Sequence, residues 1–229
     1  MLIRFLQTPP DALGAASLLV GLALAVVLVP TRAAAASEAP TPAPAHTVVF
    51  FGDSLTAGYG LDNASQQAFP ALIQQKLKDA GSDYTVINAG VSGDTTAGGL
   101  RRIDWLLRRP VDVFVLELGG NDGLRGLPPE ETQRNLLAII AKVRAKNPRT
   151  RILVAGMRMP PNFGVDFVAR FEAVFAAVAR SADATLLPFI LDGVGGIPRL
   201  NQRDQIHPTA EGHQIVANLV WPVLKPLCT

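Results

Sequence analysis

The 229-residue chain reads as an α/β protein, a three-layer α/β/α domain around a mostly parallel sheet. Three observations predict this. Short apolar runs rich in β-branched residues alternate with longer stretches whose apolar residues recur at helical spacing. The apolar runs lack the polar alternation of a half-exposed strand, so they read as strands covered on both faces, which is the habit of parallel sheets. Each of the first three runs is followed by a polar, glycine-bearing segment, and an open α/β sheet binds ligands just outside the carboxyl ends of its strands.

The elements follow in order. Residues 47–51 (TVVFF) form the first strand and end at Gly52. Residues 70–80 read as a helix with Leu72, Ile73 and Leu77 on one face, stopped by Gly81. Residues 84–88 are a second strand, and 96–109 a second helix ended by Pro110. The run 112–118 (DVFVLEL) is a third strand, closed by Gly119-Gly120. A long helix over 129–146 carries Leu136, Leu137, Ile140 and Val143 on its apolar stripe. Residues 151–156 make a fourth strand, and 167–180 a helix bearing Phe171, Val174, Phe175 and Val178. A short fifth strand fits 185–187. The last helix, 209–224, should turn Ile215, Val216, Leu219, Val220 and Val223 inward, and Pro222 should kink it or end it early.

Composition narrows the function. Hydrophobic residues make up 48% of the chain, enough for a substantial core. The net charge is only +2. Arg101, Arg102, Arg108 and Arg109 flank Trp105 and Leu106 at helical spacing, so they read as a solvated helix face and not as a nucleic-acid patch. The one cysteine, Cys228, forms neither an intrachain disulfide nor a cysteine metal cluster. The chain contains no H-E-x-x-H and no G-x-S-x-G, so the sequence suggests neither a metal site nor the usual α/β-hydrolase elbow.

The N-terminal segment is set apart. Arg4 precedes an uncharged apolar stretch over 12–29, followed by the small residues 33–37 (AAAAS). This is the order of a secretory signal peptide over 1–36, with cleavage after Ala36 and export to the periplasm or medium. The rival reading is an uncleaved anchor, since the apolar stretch sits at the lower limit for spanning a bilayer. In that case the membrane would be touched only through this segment. Residues 37–46 form a proline- and alanine-rich spacer, and 47–229 the folded domain.

The segments expected after the strands carry the chemistry. They are 52–55 (GDSL), 88–95 (NAGVSGDT) and 119–122 (GGND), and a fourth, 204–208 (DQIHP), lies near the C-terminus. Acyl transfer needs a nucleophile, a base, a group that orients the base, and donors for the oxyanion. Ser54 is the candidate nucleophile and His207 the base. Asp204, three residues before His207, is one tight turn from its second ring nitrogen. The backbone N–H of Ser54, the backbone N–H of Gly93 and the Asn121 amide are the candidate oxyanion donors. Taken singly, each has a plainer reading: Ser54 as a helix cap, Asn121 and Asp122 as turn residues, His207 as a loop histidine. Asp53 reads as structural. Asp94 and Thr95 read as holding the loop of Gly93, and His213 as equally suited to the surface or the interior.

Together the four segments resemble the blocks of the SGNH, or GDSL, hydrolase superfamily. The match extends to FGDSLTAGYG, SGDTTAGGL, ELGGNDGLRG and IHPTAEGH, which look like the branch of bacterial thioesterases, lysophospholipases and arylesterases. The resemblance implies a flavodoxin-like sheet of five strands and no metal or organic cofactor. It also implies a small-molecule acyl ester or thioester as substrate, cleaved through an acyl-Ser54 intermediate. It places a substrate loop at 157–164, where Met157, Met159, Pro160 and Phe163 would cover an acyl chain; both methionines also suit plain core packing. Two features depart from the pattern. Gln205 stands where many relatives have glycine and is expected to matter little. Residues 61–67 look longer than in the shortest relatives. Two alternatives stay open: a carbohydrate O-acetyl esterase on the same scaffold, and a lipid-binding protein with idle catalytic residues.

Overall fold

A computed structural model describes residues 46–228. The proposed leader, its cleavage point and the spacer before His46 lie outside the described residues.

The element order is β1 (His46–Gly52), α1 (Ser54–Ala57), α2 (Ala64–Gln67), α3 (Phe69–Asp79), β2 (Tyr84–Asn88), α4 (Thr96–Leu106), β3 (Val113–Glu117) and α5 (Gly120–Leu124). Then come α6 (Pro129–Lys146), β4 (Arg151–Ala155), α7 (Val165–Ser181), β5 (Thr185–Leu187) and α8 (Ala210–Leu224). The five strands form one parallel sheet in the order β2-β1-β3-β4-β5. This is the flavodoxin-like order. Helix α3 packs on α8, and α6 packs on both α4 and α7, which places helices on both sides of the sheet.

Central strand β3 is buried at every position, as its apolar run over 113–116 requires, and Glu117 is buried with it. The core is aromatic: Phe50, Phe51, Phe69, Phe114, Phe171 and Phe175 are all fully buried. Truncating any one of them to alanine should cost about 3–5 kcal/mol.

Several local expectations need correction. Helix α4 ends at Leu106, short of 109, because Leu107 leaves the helical region and the residues before Pro110 are biased toward extended backbone. Pro222 does not end α8, which continues to Leu224 before tightening into a 3-10 turn over Lys225–Leu227. The carbonyl that proline leaves without its helical donor belongs to Asn218, which is exposed and can bond to water. Arg102 does not belong to a solvated face. It donates to Ala89 O, Gly52 O and Asp94 Oδ2 and lies over the Phe51 ring, so it pins the loop after β2 to the end of β1. Asp122 is not a turn residue either. It is buried and accepts from the backbone N–H and hydroxyl of Thr96, which clasps α5 to the start of α4.

Strand order reverses between β1 and β3, and their carboxyl ends lie side by side, with Gly52 registered against Glu117. Ser54 follows β1 and Asn121 follows β3.

Candidate active site

Asp53 caps α1 through its side chain, and Ser54 is the first helical residue. The Ser54 Oγ lies 2.8 Å from His207 Nε2, and His207 Nδ1 lies 2.7 Å from Asp204 Oδ2. The turn that makes this possible is built by Asp204 itself, whose Oδ1 accepts the backbone N–H groups of Ile206 and His207. Burial works against the Asp204 charge, but the imidazole and these two backbone bonds outweigh it and hold the carboxyl at about 2. Asp204 is therefore an acceptor only. It fixes the proton on Nδ1 and leaves the Nε2 lone pair facing the serine hydroxyl.

The Asn121 amide sits beside the same serine turn. Its Nδ2 donates to Asp53 Oδ2 at 3.1 Å and to Asp94 O at 2.9 Å. Both residues 54 and 121 line one cavity of about 480 Å³, with His207. Gly93 is not among its lining residues. It turns the loop after β2 in a left-handed conformation, φ 78°, and its carbonyl accepts from Arg125.

The 157–164 loop divides. Met157, Met159 and Pro160 line the cavity as expected, and both methionines are buried in the core as well. Phe163 does not. A 3-10 turn over Pro161–Phe163 carries its ring onto Phe167, with centroids 6.1 Å apart. Gln205 also departs from expectation. It lines the cavity, and at φ 60° it stands in the left-handed region that glycine occupies freely.

Other residues at the site were not singled out by the sequence, although Tyr59, Leu124 and Ile206 fall inside the quoted segments. Leu124, Phe189, Leu191 and Ile206 complete an apolar wall drawn from three separate segments. The Tyr59 ring, 53% exposed, packs 4.7 Å from the His207 ring. Gln202 ties these parts together, donating to Tyr59 O and Pro208 O.

Two carboxyl groups lie beneath the serine. Asp53 is 2% exposed and Glu117 is fully buried. Burial pushes the Asp53 carboxyl up to about 6, and it pushes Glu117 well above the usual range, where the Asp53 charge adds to the rise. His213, open at the sequence level, is buried. Its Nδ1 accepts the Phe69 N–H, and desolvation lowers its pKa to about 4, so it is neutral. Among the described residues, no group of three or more His, Cys, Asp or Glu side chains is placed to hold a metal ion.

The chain was compared with known proteins. The GDSL-like Lipase/Acylhydrolase family profile matches residues 50–215. The chain is 43% identical over 213 residues to esterase TesA of Pseudomonas aeruginosa, covering 92% of this chain and 98% of that protein. It is 38% identical over 205 residues to thioesterase 1/protease 1/lysophospholipase L1 of Escherichia coli, covering 89% and 91%. The crystal structure of TesA superposes with a TM-score of 0.76 at 44% identity, over 80% of this chain and 99% of that one.

Proposed function

Because the chain belongs to the GDSL-like lipase/acylhydrolase family, we propose a reaction path for it in which Ser54 carries the acyl group. The protein is a serine esterase/thioesterase acting on small-molecule esters. The observation that carries the path is the unbroken chain from Asp204 through His207 to Ser54, with contacts of 2.7 and 2.8 Å.

His207 Nε2 takes the Ser54 proton as Oγ attacks the acyl carbonyl carbon. The resulting oxyanion is held by the Ser54 backbone N–H and by the Asn121 amide, which frees or shares the proton it gives to Asp94 O in the resting site, with the Gly93 N–H as a third donor. Collapse breaks the bond to the leaving alcohol or thiol, which receives the proton from His207, and leaves acyl-Ser54. Water, deprotonated by the same imidazole, then attacks the acyl carbonyl, releases the carboxylic acid and restores the serine.

The substrates are acyl esters and thioesters of medium chain length, including lysophospholipids and aryl esters. The cavity supports this over an O-acetyl esterase reading, since an acetyl group does not use the apolar wall of Leu124, Met157, Met159 and Phe189. Each methylene packed in such a wall is worth about 1–3 kcal/mol of discrimination. A p-nitrophenyl ester panel from acetyl to dodecanoyl tests it. The expected kcat/KM is higher for the C6–C12 chains than for acetyl by tenfold or more, with a burst of nitrophenol stoichiometric with enzyme. A preference for acetyl would shift the reading to the carbohydrate esterase. Fatty-acid binding with no burst would leave only the lipid-binding alternative. The proposed site of action is the periplasm or the medium, supported by the charge, apolar and small-residue order of residues 1–36.

A further inference from the structure

The buried carboxyl of Asp53 has more partners than a helix cap needs. Its Oδ1 accepts the Leu55 N–H at 3.0 Å, which caps α1 and fixes the turn that presents Ser54. Its Oδ2 accepts from Asn121 Nδ2, a residue 68 positions away on the loop after β3. The second Asn121 proton goes to Asp94 O. Asp94 is in turn paired with Arg102, which also grips Ala89 O and Gly52 O. Both Nδ2 protons of Asn121 are thus engaged, and Asp53 can keep one of them while the other passes from Asp94 O to an oxyanion. The loop that carries Asp94 is rigid because the Asp94 carboxylate, Ala89 O and Gly52 O meet at a single guanidinium.

From below, Glu117 holds the same turn. Its Oε2 accepts from Asp53 N, Thr56 N and Thr56 Oγ1, while its Oε1 is buried with no hydrogen-bond partner. A side chain at Gly52 would run into Thr56 Oγ1 and Glu117 Oε2, so the strand end must be bare for this approach. Two adjacent buried carboxyls are a costly way to hold a turn. A serine cap would satisfy Leu55 without burying a charge.

Building on the oxyanion role given to Asn121 above, we propose that Asp53 is a positioning residue. Its carboxylate locks the Asn121 amide to the Ser54 turn, so one group sets two oxyanion donors that arrive from β1 and β3. Glu117 steadies the turn from below through the three bonds that its Oε2 accepts. The groups facing Asp53 are His207, Asp94, Glu117 and the Asn121 amide. Its charge therefore also favours the imidazolium that forms on His207 during attack.

The test is a double-mutant cycle between Asp53→Ser and Asn121→Ala, read with a neutral p-nitrophenyl ester and with an alkyl boronic acid that mimics the tetrahedral adduct. Serine keeps the cap on Leu55 and is too short to reach Asn121. The expected result is a fall in kcat on the order of 10²-fold, as for loss of an oxyanion donor, with KM little changed. Boronate affinity should weaken in parallel, and the double variant should be no slower than Asn121→Ala alone. Asp53→Asn, which sets amide against amide, should show the same pattern and serves if the serine variant does not fold. Losses that add in full, or normal kcat and boronate affinity in the Asp53 variants beside a slow Asn121→Ala, would overturn this inference alone. A fully active Asn121→Ala would overturn both it and the oxyanion reading.

Discussion

Gln205 is the residue that departs most from its surroundings. It carries φ 60°, a region costing a non-glycine residue about 1–2 kcal/mol, in the turn between Asp204 and His207. Its N–H and its exposed side-chain Nε2 both donate to Gln202 O, so the backbone bond still closes the turn when the side chain is removed. Gln205→Gly should therefore raise stability by about 1 kcal/mol, measurable as a higher Tm, while the Asp204–His207 contact persists. A lower Tm would mean that the glutamine side chain holds the turn. At this scale the catalytic candidates were legible because each follows a strand at fixed distance: Ser54 after 47–51, Asn121 after 112–118. Asp204 and His207 were legible through their spacing of three. Asp53 and Glu117 were not. Their contact depends on the parallel register that sets Gly52 beside Glu117, which no local spacing reveals. The usable signal was Glu117 itself, a carboxyl inside an otherwise apolar strand, and such groups are seldom buried without a partner.

Between elements, α3 and α8 are joined by one buried polar contact, from Phe69 N–H to the neutral His213 ring, and the two aromatic rings stack with centroids 6.1 Å apart. The folded-state pKa of about 4 lies below the ordinary histidine value, so the stability this contact contributes is present above about pH 6.5. It is lost as pH falls through 4, because the unfolded chain binds the proton and the folded chain does not. His213→Asn, which can offer an oxygen to the Phe69 N–H, should lose less stability than the parent between pH 7 and 4. The difference should approach about 3 kcal/mol by denaturant unfolding. Equal acid losses in both proteins would show that His213 is not the group responsible. The raised carboxyls of Asp53 and Glu117 work in the opposite direction, stabilising the fold as pH falls, and they are common to both proteins. Elements with strong apolar periodicity, such as α6 over Pro129–Lys146, were legible to the residue. Ends set by single backbone conformations were not: α7 begins at Val165 because Gly164 breaks the chain at φ 89°.

For the whole molecule, strand order explains why residues so far apart share one cavity. Order β2-β1-β3-β4-β5 puts the reversal point between β1 and β3, and the loops after those strands meet there. Fold class and the position of the site at the carboxyl ends of the strands followed from the alternation of patterns. The apolar wall did not, because Leu124, Phe189 and Ile206 come together only through the loops after β3 and β5 and the turn before α8. The proposed reaction path depends on Ser54 being the nucleophile of the folded protein. Reaction of the native protein with a fluorophosphonate, followed by peptide mass mapping, tests it most directly. One adduct per chain on Ser54, lost in Ser54→Ala and much slowed in His207→Ala, is the expected result. A folded protein that takes up no label, or takes it up at another residue, would contradict it.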